Sequence, residues 1–264
     1  MQLLFFITFY KIKNLNLSTA IIILKRGHLM KISLKNFTKS FGRNKILEDI
    51  KFEFDEGKIY CILGRNGSGK TTLFNCISKE IPVDSGEILI SDKNDTRNVN
   101  VQNDIGYVLS TPILPEFLTG YEFIKFYIDI NKDKLPQPKT IEEYFEIINL
   151  NRDDQNKIMK NYSLGMKNKI QMLMFIISQP PVILLDEPLV SLDPVVCLEM
   201  KKILLKMKKD KIIIFSTHLL QLAKELSDEI IVLNKGNLTP INQEMLRDKD
   251  WEEYIVSILK GGVD

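Results

Sequence analysis

The sequence predicts an α/β fold: a mostly parallel sheet with helices on both faces, an antiparallel β portion near the start, and an inserted helical segment. Three observations carry this prediction. Short, nearly continuous apolar runs at 58–63 and 182–185 suit strands buried on both faces. Apolar positions at helical spacing lie between such runs. Two stretches, 31–37 and 50–54, exchange apolar and polar residues at every position, as half-exposed antiparallel strands do.

Taken in order, the strands at 31–37 and 50–54 are followed by the buried strand 58–63, which ends at Gly64, and by a helix from Lys70. Short strands are expected at 87–90 and 105–109, then helices at 121–130 and 141–148. The charged stretch 132–139, with Pro136 and Pro138, reads as a surface loop between them. After Ser163, residues Ile170, Leu173, Met174 and Ile177 fall at i, i+3, i+4 and i+7, one stripe of a helix, and Pro180 and Pro181 stop it. A strand at 182–185, a helix carrying Val196, Met200, Ile203 and Met207, strands at 211–215 and 230–233, and a terminal helix over 243–259 complete the reading. Strand–helix alternation argues for a mostly parallel sheet with helices on both faces. The expected division is an extension at 1–29, a main domain at 30–240 with a helical insertion at about 119–179, and a C-terminal helix within 241–264.

Composition narrows the function. The chain has 36 Lys and Arg against 34 Asp and Glu, a balance without the strong positive field of a dedicated nucleic-acid binder, so no nucleic acid is expected. Cys61, Cys76 and Cys197 show no metal-ligand spacing and sit among apolar neighbours, which suits reduced thiols. Two histidines cannot build a metal site alone. The first 29 residues hold two apolar runs, each too short for a spanning helix of about 20 residues, and the positive charge follows the first run rather than preceding it as in an export signal. No acidic residue precedes Glu48. The segment could lean on an anionic membrane surface; alternatively it is a non-native or disordered start and the chain proper begins at Met30, where the strand pattern opens.

The chemistry concentrates in a few motifs. Gly64-Arg65-Asn66-Gly67-Ser68-Gly69-Lys70-Thr71 fits G-x-x-x-x-G-K-[ST] between a buried strand and a helix, with Thr72 next in line. Glycines let the backbone N–H groups turn inward on phosphate oxygens, and the helix N-terminus adds partial positive charge. Lys70 would neutralise the β and γ phosphates of ATP, and the Thr71 hydroxyl would ligate Mg²⁺. The strand 182–185 runs into Asp186-Glu187-Pro188: Asp186 is a candidate Mg²⁺ ligand and Glu187 a candidate general base for the attacking water. Alone, such a pair could be a solvated turn; beside a phosphate loop it becomes a catalytic expectation.

With these motifs in order, the chain resembles the ATP-binding cassette family, the nucleotide-binding subunits of ABC transporters, over about 30–236. The resemblance implies a P-loop NTPase fold, an ABC-type ATPase core with an antiparallel β subdomain and an inserted α-helical subdomain. Tyr162-Ser163-Leu164-Gly165-Met166-Lys167 resembles the family signature, with Leu164 and Met166 departing from it and Ser163 and Gly165 retained; Ser163 is also a good helix N-cap. In the family this helix start receives the γ-phosphate held by the opposite subunit. Ser191-Leu192-Asp193-Pro194 matches the D-loop, though by itself it could be a helix start with proline at its first position. His218 matches the switch histidine, and Phe41 the aromatic platform for adenine, where any aromatic face would serve. Where the family carries a metal-touching glutamine, this sequence has Ser110, whose shorter side chain would need a water or a shifted loop to reach the metal.

The resemblance implies an ATPase that powers a separate membrane permease from the cytoplasmic face of the membrane and pairs with a second ABC ATPase subunit, identical or not. The permease would dock around Ser110 and the helices from Tyr121, and the signature variant is similar to those of exporters. A soluble cassette acting on ribosomes or DNA, or a weakly active regulatory cassette, are the alternatives.

Overall fold

The computed structural model describes residues 30–92, 95–132, 139–190 and 192–260. The N-terminal segment 1–29, most of the loop expected at 132–139, and Ser191 of the presumptive D-loop lie outside the described residues.

Among the described residues, ten strands form two sheets. β1 (Lys31–Phe41), β2 (Asn44–Asp55), β4 (Ser85–Ser91) and β5 (Thr96–Asn98) make an antiparallel sheet in the order β2-β1-β4-β5. The second sheet contains β3 (Lys58–Leu63), β6 (Ile105–Val108), β7 (Val182–Asp186), β8 (Ile212–Thr217), β9 (Glu229–Asn234) and β10 (Asn237–Pro240), in the order β10-β9-β3-β8-β7-β6. All its pairings are parallel except β9 with β10. The central strands are buried on both faces, as their unbroken apolar runs require. Ile59, Cys61 and Leu63 of β3 enter one core, and Tyr60 and Ile62 enter the other.

The core on one face packs the antiparallel sheet and α1 (Lys70–Ile77), through Leu73, Phe74 and Ile77, against the parallel sheet. The opposite face is covered by α3 (Gly120–Asn131), α4 (Ile141–Ile147), α6 (Leu164–Ser178), α7 (Pro194–Met207), α8 (Leu220–Leu226) and α9 (Trp251–Lys260). Two single-turn helices, α2 (Val101–Asp104) and α5 (Arg152–Gln155), connect elements. Helix starts follow local chemistry. Thr119 and Thr140 each close a capping box, with Glu122 and Glu143. Ser163 accepts the Met166 N–H, and Asp193 accepts those of Val195 and Val196 with Pro194 in the first turn. At the other end of α6, Gln179 turns left-handed at φ 52° before Pro180.

Three elements differ from the sequence reading. The expected helix over 243–259 is two pieces, a 3-10 turn at Met245–Arg247 and α9, because Asp248 is extended and its side chain accepts the Lys249 N–H, a local bond that competes with helix. β10 was not expected; Lys235 and Gly236, both at positive φ, form the two-residue loop of a β9–β10 hairpin. α6 is buried well beyond its four-residue stripe, including Gly165, Lys169, Met172 and Phe175, since it runs between the sheet and its neighbouring helices.

Full burial of an Ile or Leu contributes roughly 1.5–3 kcal/mol, and β3, β7 and β8 together bury a dozen such side chains or their equivalents. Leu184→Ala, at a site with no exposed surface, is expected to cost about 2–5 kcal/mol, read as a lower denaturant midpoint without a change in the slope of the transition.

Candidate functional site

Parallel register gathers the sequence-derived residues at one sheet edge. Leu63 pairs with Thr217, Asp186 with Ser216, and Val108 with Leu185. The segments leaving β3, β7, β8 and β6 therefore emerge side by side at the carboxyl ends of the strands, where open α/β sheets place ligands.

The loop after β3 is shaped by its glycines. Gly69 sits at φ 103°, and a Cβ there would come within 2.8 Å of Ile46 Cγ2. A Cβ on Gly64 would meet Ser68 Oγ at 2.4 Å. That Ser68 hydroxyl is buried with no partner among the described residues. Lys70 is almost fully buried, and its Nζ donates to the Gly64 and Arg65 carbonyls at 2.9 and 3.3 Å. These bonds fold the amine back over the loop it would serve.

The acidic pair is fixed from two sides. Thr71 Oγ1 donates to Asp186 Oδ2 at 2.7 Å, and Ser216 Oγ donates to Asp186 Oδ1. The same Ser216 hydroxyl accepts the Glu187 backbone N–H at 3.0 Å. Glu187 is left-handed, at φ 50°, a conformation that costs a non-glycine residue of order 1–3 kcal/mol and persists only when its surroundings hold it. Its carboxylate lies 3.3 Å from Lys70 Nζ and 3.2 Å from His218 Nδ1. A carboxylate between an ammonium and an imidazole is placed to exchange a proton with water while its charge stays compensated.

A cavity of roughly 320 Å³ opens over this cluster, lined among others by Phe41, Asn66, Gly67, Thr72, Ser110 and Asp186. Phe41 ends β1 with 52% of its surface exposed and Lys39 Nζ 5.2 Å from its ring centre. An aromatic face left open beside a phosphate loop can stack on a base. The donor set of Thr71 and Asp186, hydroxyl and carboxylate oxygens in contact, suits a hard cation such as Mg²⁺. Ser110 is exposed on the cavity wall.

Ser163, Gly165 and Asp193 do not line this cavity. They lie together instead at the starts of α6 and α7, where Gly165 packs on Val196. Two contributors escaped the sequence reading. Ser216 stands inside the quoted Phe215-Ser216-Thr217-His218 run, and its signal is a hydroxyl one pleat before the end of an apolar strand. Tyr107 donates to Asn75 Oδ1 of α1 at 2.9 Å, its phenol pushed up by burial and then by the Asp186 charge. Burial also pushes the Cys61 thiol well up, with Glu187 adding to the shift and Lys70 opposing it.

A phosphate loop on a parallel sheet, an acidic pair at the next strand end and an inserted helical layer define a P-loop ATPase cassette. The family model described as ABC transporter matches residues 47–190. An uncharacterized ABC transporter ATP-binding protein of Bacillus subtilis (strain 168), YhcH, is 31% identical over 229 residues, 84% of this chain and 72% of the relative. The bacitracin transport ATP-binding protein BcrA of Enterococcus faecalis is 28% identical over 232 residues, 86% of this chain and 74% of the relative. Among solved structures, the dimeric post-hydrolysis state of the ATP-binding cassette MJ0796, bound to ADP and Pi, has a TM-score of 0.67 at 23% identity, covering 80% of this chain and 98% of that one. The chain thus belongs to the ABC transporter family, as an ATP-binding ATPase subunit.

Ser216→Ala removes both the acceptor for the strained Glu187 N–H and a donor to Asp186. Loss of buried bonds of this kind costs about 1–3 kcal/mol, so a lower melting temperature is expected together with a fall in ATPase rate larger than the stability loss explains.

Proposed function

We propose that two copies of this cassette, or this chain and an unlike partner cassette, close on two ATP molecules and that hydrolysis reopens them to drive a separate membrane permease. The observation that carries the proposal is the Lys70–Glu187–His218 chain beside the Thr71–Asp186 pair, which sets a cation, a base and a metal-ligand pair next to one another.

In this reading the N–H groups of the loop from Gly64 through Gly69 hold the phosphates, with Arg65, Asn66, Gly67 and Ser68 shaping the turn and Thr72 at the rim. Lys70 exchanges its carbonyl partners for β and γ oxygens. Thr71 and Asp186 would hold Mg²⁺, with Ser110 on the cavity wall nearby; such an ion would screen phosphate charge. Glu187 takes the proton of the attacking water, and His218 keeps the carboxylate aimed. Phe41 stacks on the adenine. Ser163, Gly165 and Asp193, away from the chain's own cavity, serve the nucleotide held by the partner; the dimeric form of the MJ0796 cassette supports that arrangement.

Among the described residues no helix is long and apolar enough to cross a membrane, so the permease is a separate chain in this reading and the cassette works at the cytoplasmic face. Ile113, Phe117, Phe126 and Ile130 leave large apolar surfaces exposed after Ser110 and along α3, Phe117 as much as 79%. Apolar patches of this kind mark docking surfaces, and the helical stretch 119–179 is read as the subdomain that meets the permease. The signature variant around Ser163 supports export.

Lys70→Ala is expected to weaken ATP binding about 10- to 100-fold, the loss of one or two charge-assisted bonds, by equilibrium dialysis. Glu187→Gln should lower turnover by about 10²–10⁴ yet bind ATP and accumulate as a dimer in light scattering; a Glu187→Gln chain that stays monomeric in saturating Mg-ATP would falsify the paired mechanism.

A further inference from the structure

The starts of α6 and α7 are tied together by a polar cluster that the site does not use, built around the buried Lys169 with the partly exposed Glu199 and the exposed Asn149. A Cβ on Gly165 would lie 3.3 Å from both methyl groups of Val196, so the two helices already touch there. One turn along both, Lys169 Nζ meets Glu199 Oε2 at 2.7 Å, with only 10% of the Lys169 side chain exposed. The contacts advance together, Gly165 to Lys169 on α6 and Val196 to Glu199 on α7, so the helices run in the same sense through their crossing.

A third element closes the cluster. Asn149, just past the end of α4 and left-handed at φ 51°, accepts a hydrogen bond from Lys169 Nζ on its carbonyl at 3.1 Å and donates from Nδ2 to Glu199 Oε1 at 2.7 Å. Burial pushes the Glu199 carboxyl up, but its bonds to Lys169 and Asn149 outweigh this and hold it below the usual carboxylate range. A buried ion pair adds little net stability over an apolar pair of the same shape. What it does supply is register, because neither partner can slide without leaving a buried charge unmatched.

That register has a specific object. Ser163 caps α6 two residues before Gly165, and Asp193 caps α7 three residues before Val196. We infer that Lys169 and Glu199, with Asn149, are positioning residues that fix Ser163 and Gly165 relative to Asp193, so that the three meet a second chain's nucleotide as one rigid surface. This rests on the paired-chain reading above.

The test uses the full chain carrying Glu187→Gln, with dimerisation in Mg-ATP followed by sedimentation and ATP uptake measured separately at protein concentrations too low for pairing. Added Lys169→Met is expected to weaken dimerisation about tenfold or more, and the isosteric Glu199→Gln about three- to tenfold, while Lys169→Arg stays within about threefold because it keeps the charge-assisted bond. ATP uptake by single chains should stay within about twofold in all three. Dimerisation unchanged in both Lys169→Met and Glu199→Gln would overturn the assignment. So would a parallel loss of single-chain ATP uptake, which would mark a general role in folding. A Glu187→Gln parent that never dimerises would overturn the paired-chain reading and this assignment with it, whereas a dimerising parent with indifferent variants overturns the assignment alone.

Discussion

The in-register parallel pairing of β3, β8 and β7 is the constraint on which the rest depends. Strands with fully buried apolar runs must satisfy their backbone groups by pairing with neighbouring strands, and pairing in this register makes Leu63, Thr217 and Asp186 finish at one edge. A one-residue slip would exchange every side chain between the two cores. The site residues are therefore brought side by side by hydrophobic burial and strand register, whatever polar contacts they make with one another.

Those polar contacts then remove the remaining freedom. Ser216 links the β7 and β8 ends by serving Asp186 and the Glu187 amide at once, and Thr71 links the first turn of α1 to the same carboxylate. Glu187 accepts an unfavourable backbone conformation within this frame. Its position is decided by neighbours on and just past β8 and on α1 rather than by its own preference, the arrangement expected where strain is retained at a functional centre.

Much of this was legible in the residues. The buried strands announce themselves as continuous apolar runs, and the phosphate loop by glycines between a strand and a helix; Asp186 and Glu187 drew notice because they end a buried strand in a chain that also carries that loop. The missing pieces were those with no periodic signal. Ser216 is one hydroxyl in an apolar run, β10 is four residues set by a Lys-Gly turn, and the break before α9 depends on a single Asp side chain. The Lys169–Glu199–Asn149 cluster joins residues up to fifty positions apart, and only the packing of three helices brings them together. The placement of Ser163, Gly165 and Asp193 away from the cavity is likewise a fact of topology that the order of motifs along the chain cannot reveal.

The burial of the thiols has a practical consequence for labelling. Cys61 lies in the middle of β3 with no exposed surface and Cys76 is enclosed on α1, while Cys197 on α7 is only half-buried. Burial keeps the first two protonated and out of reach. A fluorophore carried by a maleimide would thus enter the native fold first at the helix that begins with Asp193, and the unmodified sequence already carries a handle for watching that surface.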